Sequence, residues 1–278
     1  MAARPEPASV NRYPSLPALD AVPADYFEGS VWIRELVVGA PLRFGVAEGG
    51  YLRFAAGERA FETDPPLPLR RAVDHLRRSF DVDALLREAT DATGLVFYGV
   101  ATVRDGIEYD WGRLPPFLGF DVRDGSDRWL PNDAVERAFE GLGLSAANAF
   151  EKELPVRHFY PERYEIPDSA WYDGPAAGVV VRDSHGNRAE RRNPGVERGA
   201  DAGPTHPSDP AALAEALVTR GLVERLAAAL GDPGTFDALF EVAVAEVFRL
   251  APAAVDGWDE AATRTFRGAV AERVRAFA

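Results

Sequence analysis

The feature that most constrains this fold is a change of hydrophobic period along the chain. Upstream of about residue 195, short β-branched and aromatic stretches alternate with glycine and proline. VWIRELVV from Val31, LRFGV from Leu42 and YLRFA from Tyr51 are separated by Gly39, Pro41 and the Gly49-Gly50 pair. Runs of that length and punctuation read as antiparallel strands joined by tight turns. Downstream of Asp209 the pattern is helical, with Leu213, Leu217, Leu222, Leu226 and Leu230, then Phe236, Phe240, Val244 and Phe248, then Phe266, Val270 and Val274. Because the two periods bury different faces, the chain divides into a strand-rich part and an all-helical part, an α+β fold.

The divisions expected are a flexible lead-in over 1–24, a mixed domain over 25–195, a linker over 196–208 and a helical domain over 209–278. Repeated prolines and little periodicity mark the lead-in. Within the mixed domain, Leu69, Val73, Leu76 and Phe80 predict a helix from about Pro68, and DVDALLREA continues it after a break. LVFYGVATV, FLGFDVR and AGVVVRD read as strands. Asn132-Asp133 reads as the cap of a helix presenting Val135, Phe139 and Leu142. Asp209-Pro210 has the order favoured at a helix start.

Composition removes several chemistries. Cysteine is absent, so disulfides, thiolate nucleophiles and cysteine metal sites are excluded. The four histidines, His75, His158, His185 and His206, have no metal-pair spacing, and no metal site is expected. No apolar run approaches the roughly 18 residues of a membrane span, and MAARPEPASV lacks a signal-peptide core, so a cytoplasmic location without membrane contact is expected. The net charge is −13, and Lys152 is the only lysine among 31 basic residues. Such acidity resembles proteins of salt-accumulating archaea, where the Debye length at molar salt is about 3 Å and self-repulsion is cheap. Net charge also argues against general duplex binding, so any nucleic-acid contact needs a local groove.

Several blocks, in order over residues 30–194, resemble the motifs of ATP-dependent RNA ligases of the covalent nucleotidyltransferase superfamily. VWIRELVVGAPLRFGV is similar to the first motif, Glu-Lys-x-Asp-Gly followed by an arginine-phenylalanine pair: Glu35, Gly39, Arg43 and Phe44 match, whereas Leu36 stands for the lysine and Val38 for the aspartate. LRFAAGERAF resembles the next strand with its phosphate-contacting arginine, Arg59. In LVFYGVATVRDG, Val100 takes the place of the third motif's glutamate. Phe117 or Phe120 in LPPFLGFDV stands for an adenine-stacking ring. AAGVVVRD resembles the fourth motif with Ala177 at the glutamate, and HGNRAERRNP the fifth with Glu190 at the lysine. The resemblance implies a nucleotidyltransferase domain, ATP-grasp-like, of antiparallel sheets and flanking helices, followed by a helical C-terminal domain. It also implies ATP and Mg as cofactors, RNA or DNA ends as partners, and an intact paralogue working alongside.

The residues present do not supply that chemistry. Adenylation needs a neutral lysine amine as nucleophile, with carboxylates to orient metal and ribose. Leu36 has no lone pair, Val100 and Ala177 hold no metal, and Glu190 reverses the charge that would meet the phosphate. Arginine is never a free amine, and Lys152, in NAFEKELP between a helix and a strand, reads as a solvated surface lysine. No catalytic residue is therefore assigned. The nucleotide-binding candidates are Glu35, Gly39, Arg43, Arg59, Phe117, Phe120, Arg182 and Arg188, the last two within a basic run that includes Arg191 and Arg192. For the arginines the alternative is surface pairing or a solvated turn, for Phe117 and Phe120 the core, and for Asp105, Glu108 and Asp110 a chance cluster rather than a cation site. Three readings stand: a degenerate ligase paralogue that binds nucleotide or nucleic-acid ends, an active ligase with an atypical site acting on pre-adenylated ends, and a non-catalytic interaction protein whose cleft is filled by Leu36, Val38 and Val100.

Overall fold

The computed structural model describes residues 12–196, 206–231 and 235–278. Ser30–Glu35 (β1) starts one sheet, and the chain then crosses to a second sheet through Ala40–Val46 (β2), Leu52–Ala56 (β3) and Arg59–Phe61 (β4). Helices Arg70–Ser79 (α1) and Val82–Glu88 (α2) follow, then Val96–Ala101 (β5) and Phe117–Arg123 (β6) return to the second sheet. After Asn132–Gly141 (α3), the strands Ala149–Pro155 (β7), Gly178–Asp183 (β8) and Arg188–Arg192 (β9) complete the first. The strand orders are β7-β1-β8-β9 and β4-β3-β2-β5-β6, with every strand pair antiparallel. Pro210–Leu217 (α4), Arg220–Leu230 (α5), Phe236–Leu250 (α6) and Glu260–Phe277 (α7) form the C-terminal helices. The architecture is mixed α and β with antiparallel sheets.

The crossover between sheets depends on Gly39, where a Cβ would lie 2.3 Å from the Ala101 carbonyl oxygen and 2.6 Å from a Val100 methyl. No real side chain fits there. Beyond it, the second sheet packs a ring-rich core against α1, α2 and α3, in which Phe44, Phe54, Phe97, Phe117 and Phe139 are fully buried. Phe44 and Phe97 stack with centroids 5.0 Å apart. The helical segment makes its own core around Val244, Phe248, Phe266 and Val270. Four of its helix starts carry side-chain caps, Asp209, Thr219, Thr235 and Asp259 each accepting from a backbone N–H three residues on.

Three local readings change. NAFEKELP is itself an edge strand, β7, hydrogen-bonded to β1, rather than a connection; its consecutive EKE residues are all exposed, so it carries no hydrophobic alternation to betray it. Asn132 does not cap α3. Pro131 holds the cap position, while the Asn132 side chain accepts from Arg34 Nη1 at 3.0 Å and donates to the Arg182 carbonyl at 3.3 Å. The lead-in is docked from Tyr13 onward: Leu19 is buried and its N–H donates to the Glu190 carbonyl, while the Glu190 N–H donates to the Pro17 carbonyl. Its first eleven residues lie outside the described residues, as does most of the expected 196–208 linker.

The helical segment does not sit apart from the sheets. On α6, Glu246 pairs with Arg71 of α1 at 2.7 Å, and the Arg249 guanidinium donates to the Thr102 carbonyl and hydroxyl, both at 2.7 Å. Leu250 joins an apolar cluster with Val38, Trp111, Leu118 and Ala177, against which Leu36 and Val100 pack.

Candidate functional site

A cavity of about 560 Å³ opens between the two sheets. One wall is the end of β1 and its exit, Arg34 to Gly39. The facing wall is Val100, Phe120 and Asp121, and a third comes from Val180, Arg182, Arg188, Glu190 and Arg192 on β8 and β9. Strand alternation explains the third wall: Val180 and Arg182, and Arg188, Glu190 and Arg192, are spaced by two and so share a face. The β1 exit is held by the Leu36 N–H on the Gly178 carbonyl at 3.0 Å and the Val38 N–H on the Tyr109 hydroxyl at 3.1 Å.

Glu35 is buried and already spent. Its Oε1 accepts from the Ser169 hydroxyl at 2.5 Å, and its Oε2 from the Ala170 N–H at 3.1 Å and Asn148 at 3.2 Å. Burial pushes its carboxyl above the ordinary glutamate range, and those three donors oppose the rise.

Asp121, fully buried, gathers the cations. Its Oδ1 accepts from Arg182 at 2.8 Å, and its Oδ2 from Arg188 Nε at 2.9 Å, Arg188 Nη2 at 2.7 Å and the Tyr13 hydroxyl at 3.0 Å. Arg34, Arg182 and Arg188 are each only 5–6% exposed. Burial lowers Arg34 to about 10, a larger effect than the pull of Asp121. Arg188 lies 4.2 Å over the Trp129 ring, and Tyr13 packs edge-on against Phe120 and Trp129. Burial, with Asp121 beside it, raises the Tyr13 phenol well above its ordinary value, so it stays a donor. Arg182 Nε is buried without a partner among the described residues. Glu190 is paired with Arg192 at 2.9 Å. The charge of Glu190 is thus met by a cation two residues along the same face.

Of the residues picked from sequence, Glu35, Leu36, Val38, Gly39, Val100, Phe120, Arg182, Arg188 and Glu190 all line this cavity. Others do not. Phe117 is core, its ring filling the space a Gly99 Cβ would need. Ala177 is buried in the apolar cluster behind the wall. Arg43 lies in β2 away from the lining, and Arg59 is exposed on β4 with its contact to the Asp64 carbonyl. Arg191 turns outward to the Tyr164 and Pro161 carbonyls. Asp105 reaches the cavity, but Glu108 is bound by Arg104 and Trp111, and Asp110 accepts from the Gly112 N–H. Among the described residues no three histidine or acidic side chains are arranged to hold a metal. Lys152 lies outside the cavity, ion-paired with Glu136 at 2.6 Å beside the Trp32 ring. Sequence reasoning missed Tyr13, Arg34 and Asp121, which carry no local signal; only the fold brings them together.

No family model and no curated protein matches the chain. Among solved structures it is similar to an archaeal ATP-dependent RNA ligase, form 1, at 16% identity over 95% of this chain and 64% of that one, with a TM-score of 0.49. Form 2 gives the same identity and coverage with a TM-score of 0.46. A Naegleria gruberi RNA ligase variant in its apo state is 13% identical over 66% of this chain and 56% of that one, with a TM-score of 0.48. The chain therefore spans about 64% of the length of the archaeal ligase chain. Among the described residues no helix is long and apolar enough to cross a membrane.

Proposed function

We propose that this chain is an RNA ligase-like protein that holds a nucleotide or a nucleic-acid end in the cavity between its sheets and forms no covalent adenylate. The observation that carries the reading is the position of Leu36. It lines the cavity next to Glu35, where the resemblance calls for a reactive amine, while the only lysine lies outside, committed to Glu136. Leucine cannot attack phosphorus, and the remaining cavity cations are guanidinium groups. Val38 and Val100 supply no carboxylate to the same space.

The cavity remains open beside these apolar replacements, which favours binding over the reading in which they fill the cleft. Arg192, paired with Glu190 at its wall, offers donors suited to phosphate oxygens. The acidic, lysine-poor composition fits work in a cytoplasm of high ionic strength.

The test is incubation with radiolabelled ATP and magnesium at high salt. No acid-stable label on the protein is expected, while calorimetry with AMP, ATP or a short RNA should show binding that Arg192→Ala, at a half-exposed side chain, weakens. A labelled band lost in Lys152→Ala, or sealing of a pre-adenylated strand, would reverse the reading.

A further inference from the structure

A second cavity, of about 650 Å³, shares no lining residue with the first. It is a crevice between α1, the turn from Trp111 to Pro116, and helices α5 and α6. Its charge is lopsided: Arg71, Arg78, Arg113, Arg225 and Arg249 face it together with His75, against the single carboxylate of Glu246. In a chain of net charge −13 this excess is not a reflection of composition.

The donors divide into spent and free. Both oxygens of Glu246 are taken, one by Arg71 Nε at 2.7 Å and the other by Arg249 Nη1 at 3.1 Å. Arg249 is further bound to Thr102 and to the Leu114 carbonyl at 2.8 Å. Arg71 is only 9% exposed, yet its two terminal amino groups have no acceptor among the described residues. Arg78 and Arg225, at the mouth, are exposed, and the one carboxylate acting on Arg78 among the described residues is Asp74, on the same helix, which Arg71 shares. The Arg225 side chain crosses Gly112, 3.2 Å from where a Cβ would stand. His75 registers the local field: burial first, then Arg71, Arg78 and Arg249, push its imidazole down to about 4.

Packed guanidinium groups with unused N–H donors repel one another until an anion is set between them, and planar forks match phosphate oxygens. Cavities of this size are typical of small-ligand sites. We propose that this crevice is a second binding site, specific for a phosphorylated anion held by Arg71, Arg78 and Arg225. The source is either a free polyphosphate or the backbone of a nucleic-acid strand.

The experiment follows the His75 imidazole signal by NMR across pH, with and without inorganic tripolyphosphate, and separately with a short oligonucleotide lacking terminal phosphates. A bound anion is expected to move the His75 midpoint up by at least one pH unit, and the double variant Arg78→Glu, Arg225→Glu to lose that response with at least tenfold weaker binding. Both arginines are exposed, so the variant should fold. A response to tripolyphosphate alone identifies a free polyphosphate, and one to the oligonucleotide identifies a strand. If neither moves His75, or if the charge-reversed protein responds like the parent, the proposal fails. Because Arg192→Ala acts on the other cavity, failure here leaves the proposed function standing, and the reverse.

Discussion

Asp121 is the carboxylate on which two buried guanidinium groups and a phenol converge, and removing its charge strands Arg182 and Arg188 out of reach of water. Breaking such a buried arrangement from one side costs about 3–5 kcal/mol, since the uncompensated charge stays behind. Asp121→Asn keeps the shape and is expected to lose that much in urea unfolding. A loss below about 1 kcal/mol would mean that solvent reaches the arginines. The same residues show why a local reading falls short. Arg182 and Arg188 stand out as a basic run, but Asp121 is one acid among many, and Tyr13 lies in a proline-rich stretch that reads as unstructured. Contacts of 61 and 108 residues in separation leave no mark on local spacing.

At the scale of elements, the crossover from β1 to β2 decides where the cavity lies. Gly39 sits hard against the β5 backbone, so Gly39→Ala must push the crossover away from Ala101. The expected cost is about 1–3 kcal/mol, read as a lowered thermal midpoint together with weaker nucleotide binding. An unchanged midpoint would show that the crossover gives way freely. Buried strands with clear turns, such as β1, β2, β5 and β8, were legible because runs of β-branched and aromatic residues reflect burial directly. The edge strand β7 was not, since its exposed residues obey solvation instead. Phe117 and Phe120 share a strand and a residue type, and only packing against Phe139 and Gly99 assigns one to the core and leaves the other at the cavity.

For the whole molecule, the change of period at the start of the helical segment was readable, but its docking was not. Sequence suggests two bodies and a linker, whereas α6 is tied to α1 and to the turn after β5 through buried charge. Glu246→Gln is isosteric and leaves Arg71 and Arg249 uncompensated, so it should destabilise the protein by about 3–5 kcal/mol. Urea unfolding followed by tryptophan fluorescence would detect it through Trp111, whose ring lies 4.9 Å from Arg249. An effect confined to a few tenths of a kcal/mol would mean that the helices dock by apolar contact alone. The crevice between these parts is assembled from five separate stretches of chain, which is why its charge escaped a linear reading.

The apolar cluster behind the cavity runs from Leu36 and Val100 through Val38, Trp111 and Ala177 to Leu250 of α6. An amine installed at position 36 alone would meet valine methyls and a glutamate whose oxygens are already engaged. Placing a charge there therefore calls for several coordinated exchanges among its neighbours. The same greasy seam ties one wall of the cavity to the seat of α6, so a change at either end is felt at the other.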